Sequence, residues 1–164
     1  MGQLRITLCV FALGAQFGCM CLSFIPQNKC SSNYYADSRY ENYPFTSYVV
    51  RPKKTSPRGI RVDTSGADIN LQYLDDQTAI LEKCLNITIN SCAVTVKIAS
   101  DFTQEPSGQW FPCAVPGGKK CAGVNQYPNI LVLPPNLRAF RHELIHLVTH
   151  KEHGDPVFSN CDGQ

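Results

Sequence analysis

Two periodicities organise the second half of the chain. From Ile69 onward, apolar residues recur at Leu71, Tyr73, Leu74, Ala79, Ile80, Leu81 and Leu85, a spacing that returns them to one stripe of a helix. Ser65 or Asp68 stands ahead as an N-cap, so the pattern predicts a helix over about 68–84. Ala93–Ser100, "AVTVKIAS", alternates and is rich in β-branched residues, which predicts a strand. Gln109–Tyr127 is broken by Gly and Pro and reads as a hairpin or excursion with a "PGG" turn. Pro128–Pro134 is a short apolar strand stopped by Pro134-Pro135. Asn136 then caps a helix through "LRAFRHELIHLVTH", which Gly154 and Pro156 end. The order helix, strand, hairpin, strand, helix predicts an α+β domain: a short mixed sheet packed on an N-terminal helix and a C-terminal helix.

The first half reads differently. Arg5 precedes an apolar run from Ile6 to Ala15, followed by small residues. This is the order of a secretory signal, and the run is too short to span a bilayer. Residues 1–23 are read as the signal, with cleavage after Gly14 or Ser23. The alternative, a lipid anchor on Cys19 or Cys21, meets a poor lipobox in Gln16-Phe17-Gly18. Residues 24–66 lack periodicity and carry net charge +4, while 67–164 carry net −3. The first of these segments is expected to be a basic, flexible arm or a pro-segment cut near Arg51–Lys54, and the second the folded domain.

With a formal charge of only +2 over 164 residues and no Gly-rich phosphate loop, nothing points to nucleic acid. Nine cysteines are present, and removing Cys9, Cys19 and Cys21 with the signal leaves six. An even number in an exported chain predicts three disulfides. Short loops favour Cys84 with Cys92 and Cys113 with Cys121, leaving Cys30 for Cys161; as an alternative, a free Cys30 thiolate would cap a metal in a latent form.

The chemistry lies in "RHELIHLVTHKEHGDPVF", Arg141–Phe158, which holds all four histidines of the chain. His142 and His146 are four apart, so on a helix their rings stand on one face and reach one metal ion. Glu143 beside them is placed as a general base, then acid, toward a zinc-bound water. His150 continues the series but lies about 12 Å along a straight helix from His142, too far for bonds of about 2.0–2.1 Å to a shared ion. His153 returns to the metal if the helix ends and turns, and Asp155 is a further alternative. The expected ligands are His142, His146 and His153, with Zn²⁺ as cofactor. Arg138, Arg141 and Tyr127 are weaker candidates for stabilising a reaction intermediate, and "NILVL" for pairing with an extended substrate at a sheet edge.

Through HELIH the segment resembles the zincin metallopeptidases. His153, Pro156, Phe158 and Cys161 are similar to the tail of small secreted or lipoprotein zincin-like proteins, in which HExxH is followed by HxxPxFxxC. The third ligands of other zincins do not map here. The glycine and third histidine of a metzincin are replaced by Thr149 and Glu152, and the only methionines are Met1 and Met20. The resemblance implies a zincin-like fold and a hydrolase, and names no substrate. Together with the signal and the HExxH chemistry, the expectation is a secreted, monomeric zinc-dependent peptidase acting on a peptide or protein. The rival expectation is a disulfide-stabilised binding or effector protein with a structural or vestigial zinc site.

Overall fold

The structure is a computed structural model that describes residues 27–41, 48–113 and 118–163. The signal expected at 1–23, with its three cysteines, lies outside the described residues. Eight short strands and three helices follow one another: β1 (Lys54–Thr55), β2 (Arg61–Asp63), α1 (Leu71–Leu85), β3 (Thr95–Ile98), β4 (Thr103–Glu105), β5 (Gly108–Pro112), β6 (Lys120–Cys121), β7 (Val124–Gln126), β8 (Ile130–Leu133), α2 (Phe140–Thr149) and α3 (Pro156–Cys161). The protein is α+β, as the element pattern predicts. No helix among the described residues is long and apolar enough to cross a membrane.

The main sheet has five strands in the order β1-β2-β3-β8-β7. Its centre is parallel, with Val62 opposite Val96, and Val96 opposite Leu131. β1 and β7 add antiparallel edges. Parallel neighbours need a crossover, and α1 supplies it between β2 and β3. Alternation divides the strands between two faces. Val62, Val96, Ile98, Leu131 and Leu133 point into the core formed with Leu74 and Leu81 of α1 and Phe140, Leu144 and Ile145 of α2. Val132 points the other way, onto Phe111 of β5. The β4-β5-β6 excursion thus covers the second face.

α1 begins at Leu71, not 68. Asn70 is its cap and accepts the Tyr73 N–H at 3.3 Å, while Ser65 takes a left-handed conformation and receives Lys97 Nζ on its hydroxyl. The helix ends at Asn86, also left-handed (φ 53°).

Three expectations change. The segment read as a basic arm is in part integral: 54–63 supplies β1 and β2, and Ile60 and Val62 are fully buried. Three- and two-residue strands are too short for their alternation to stand out in a sequence. "NILVL" is β8, paired on both sides, so the free edge beside it is β7. The disulfides are Cys30–Cys92, Cys84–Cys161 and Cys113–Cys121; only the last matches the expected pairing. Closure entropy rises slowly with loop length, so nearness in sequence is a weak guide. The last turn of α1 aims Cys84 at α3, and Cys92 lies beyond it, against the N-terminal segment. Bonded to Cys92, Cys30 has no thiol to cap a metal.

Candidate metal centre

α2 carries its apolar positions, Phe140, Leu144, Ile145 and Leu147, into the core. The remaining face holds His142 and His146, one helical turn apart as HExxH dictates. α2 stops at Thr149, five residues before Gly154. His150 is the C-cap, left-handed at φ 56°, with its N–H on the His146 carbonyl. The chain then reverses through Gly154 (φ 97°), where glycine avoids a Cβ clash. Asp155 and Pro156 do more than end a helix: Asp155 caps α3, accepting the Val157 N–H at 3.0 Å, and Pro156 opens it. The turn between α2 and α3 brings His153 back over the helix.

The three imidazoles meet. His153 Nε2 lies 2.8 Å from His142 Nε2 and 3.2 Å from His146 Nε2, and the ligand atoms all fall within 4.8 Å of one another. Two donors on one tetrahedral ion at 2.0–2.1 Å stand ~3.3 Å apart, close to the two separations that His153 makes. The opposite nitrogens are held from outside. His142 Nδ1 is 2.7 Å from Asp162 Oδ2, and His146 Nδ1 is 2.7 Å from the Lys151 carbonyl oxygen. Both partners are acceptors, so each Nδ1 carries the proton and each Nε2 turns a lone pair inward, the arrangement that orients metal-binding histidines. Inward lone pairs repel unless a proton or cation sits among them, so the donor set fits a divalent metal. Burial holds His146 below the usual imidazole range, and the neighbouring histidines add to that, partly opposed by the Lys151 carbonyl. It is therefore in the neutral form that a metal requires.

Phe158 of α3 packs its ring 4.5–5.6 Å from all three imidazole centroids and walls one side of the cluster. His153 is exposed, which leaves another side open to solvent.

Glu143 stands beside the cluster and outside it. It is 8% exposed, and Asn125 Nδ2 of β7 donates to its Oε2 at 2.9 Å and to its carbonyl at 3.1 Å. A Cβ on Gly123 would come within 2.6 Å of Glu143 Cγ, so glycine there leaves room for the carboxyl. Burial pushes the Glu143 carboxyl up to about 8, the nearby charge of Asp162 adds to the rise, and the Asn125 hydrogen bond opposes it. A bound cation would act against the first two by favouring the carboxylate.

Of the predicted site residues, His142, His146 and His153 come together, while the Glu143 carboxyl lies against Asn125 and Gly123. His150 does not: its Nδ1 lies 3.2 Å from Asp37 in the N-terminal segment. Asp155 is occupied with its cap and with Lys151 at 3.3 Å. Tyr127 lines a small pocket with Tyr35, Asn129 and His146. Arg138 and Arg141 face a separate cavity. Sequence reasoning missed Asp162, Asn125, Gly123 and the Lys151 carbonyl. The one available signal was Asp162 itself, an acid one residue after the cysteine that anchors α3.

No protein-family model, no curated protein and no solved structure matches this chain.

Proposed function

We propose that the protein is an exported zinc-dependent peptidase of zincin type. The observation that carries this reading is Glu143: a buried carboxyl, cradled by Asn125 and Gly123, on the helix residue that follows His142, the first of three convergent histidines. A structural metal site needs only its ligands, whereas a hydrolytic one needs a base at its side. His142, His146 and His153 would hold the ion, and Asp162 and the Lys151 carbonyl would orient the first two. The metal, when bound, supplies Lewis acidity that makes water a nucleophile at neutral pH. Glu143 would take a proton from the attacking water and return it to the leaving amine as the peptide bond breaks. Asn125 keeps the carboxyl in position through both transfers. Imidazole also suits other divalent ions, and zinc is favoured by an all-nitrogen set of three with an open side. Three disulfides support the exported location.

Metal analysis of the purified protein, with peptide hydrolysis by wild type and Glu143→Ala, tests the reading. Stoichiometric zinc and a loss of about 10²–10⁴-fold in hydrolysis are expected. Zinc far below one equivalent, or unchanged hydrolysis in the variant, overturns it.

A further inference from the structure

A cavity of about 530 Å³ opens on the N-terminal side of the metal cluster, within the range of small-ligand sites. Arg138 and Arg141 line it, with Asp162, Tyr73 and Trp110. Its position is set by the site already described. Asp162 forms part of the wall and spends Oδ2 on His142, so a single histidine–aspartate pair separates the cavity from the cluster.

The wall of the cavity carries charge of both signs. Arg141 Nε is buried and has no partner, and its guanidinium makes no ion pair or hydrogen bond among the described residues. Asp162 Oδ1 is buried and also without a partner. The Arg141 guanidinium lies against Gly163 at the wall. Arg138 at the rim is exposed and adds a second positive charge.

We propose that this cavity is a carboxylate-recognition site for the substrate peptide, with Arg141 as the anchoring cation. The charge balance selects the ligand. Two arginines attract an anion, but the Asp162 carboxylate in the same wall opposes a dianion such as phosphate, which leaves a monoanion as the best fit. A planar guanidinium matches a carboxylate in shape. A peptide also offers apolar surface for Trp110 and Tyr73 in the wall. The carboxylate belongs to an acidic side chain or to the peptide's own C-terminus. This assignment rests on the peptidase reading for the word substrate, but the binding site is tested without turnover.

The test uses zinc-loaded, full-length Glu143→Gln protein and three acetylated tetra-alanine probes: one ending in a free carboxylate, one amidated, and one amidated with a glutamate in place of one alanine. Each competes against a fluorescent peptide. At least one carboxylate-bearing probe is expected to bind about tenfold or more tighter than the neutral amide, the size of one charge-assisted hydrogen bond. Preference for the free C-terminus or for the glutamate probe identifies the source. Adding Arg141→Gln is expected to erase the preference with zinc content unchanged, and Arg141→Lys to restore it in part. Equal binding of all three probes overturns the proposal, as does a preference that survives Arg141→Gln. If Arg141→Gln does not fold, the probe comparison on the parent protein decides alone. Binding with no cleavage of any peptide by wild type would sink the peptidase reading and spare the site. Cleavage indifferent to a carboxylate would do the reverse.

Discussion

Asp162 Oδ2 lies 2.7 Å from His142 Nδ1, twenty residues further along the chain. The contact joins the last residue of the α3 cap to the first histidine of HExxH. It fixes the imidazole's tautomer and its ring plane, so it acts on the metal through His142. Removing it with Asp162→Ala is expected to weaken zinc binding by about 10–100-fold. Competition against a chromogenic chelator measures this. Unchanged affinity would mean that packing against Phe158 alone orients the ring.

His153 and His150 are three residues apart and separate cleanly in the structure. His153→Ala is expected to lose the metal at concentrations where wild type is saturated. His150→Ala is expected to keep it, because that ring faces Asp37. Zinc content of the two dialysed variants decides. Equal loss from both would place His150 among the ligands.

α3 is tied to α1 by Cys84–Cys161, whose partners are 77 residues apart. Cross-linking so long a loop removes about 4.5 kcal/mol of unfolded-state entropy, against about 2.5 kcal/mol for the eight-residue separation of Cys113–Cys121. Replacing both Cys84 and Cys161 by Ala is expected to lower stability by about 2–5 kcal/mol. It should also weaken metal binding, since α3 carries Phe158 and leads into Asp162. The Cys113→Ala/Cys121→Ala protein should lose less stability and keep its metal affinity. Denaturant unfolding and zinc titration of the two proteins would refute this if their order came out reversed.

Gly123 faces Glu143 so closely that Ala has no room. Gly123→Ala forces the carboxyl or β7 to move, at a cost of about 1–3 kcal/mol. Zinc content is expected to stay near wild type, because none of the three histidines is displaced, while peptide hydrolysis falls. Activity and thermal stability equal to wild type would show that Glu143 has a second position open to it.

The N-terminal segment docks on the end of α2 through charge. Arg39 donates to Asp37 at 2.6 Å and to the His150 carbonyl at 3.0 Å, and stands 3.4 Å from Glu152. Hydrogen bonds from Arg39 hold the Asp37 carboxyl down at about 2. An acid with a depressed folded pKa releases its proton more readily when folded, so its contribution is full above the unfolded value of about 3.9. That contribution is lost as pH falls from about 4 through 2. Backbone hydrogen exchange of residues 27–41 is therefore expected to quicken in acid ahead of the core strands, and Arg39→Ala is expected to remove that pH dependence. Uniform exchange across segment and core would count against it.

Much of the site was legible because it is local. The pairing of His142 with His146, the place of Glu143 beside them and the exclusion of His150 all follow from 1.5 Å of rise and 3.6 residues per turn. The turn that returns His153 was visible in Gly154 and Pro156, although the stop is His150 in a left-handed cap. Less of the fold could be read. β1 and β2 are two and three residues long, and their pairing partners lie on either side of a fifteen-residue helix. Such strands are recognisable only once β3 offers an edge.

The sequence by itself determined the α+β class and the helix face that carries His142 and His146. Tertiary structure alone decided which cysteines pair, that β7 and not β8 forms the edge beside α2, and that Asp162, Asn125 and Gly123 support the site. The reason is physical. Interactions within a turn or two of helix are dictated by backbone geometry, whatever the rest of the chain does. Contacts across 18, 20 or 77 residues depend on how the faces of α1, α2 and α3 pack, and loop-closure entropy barely distinguishes one such distance from another.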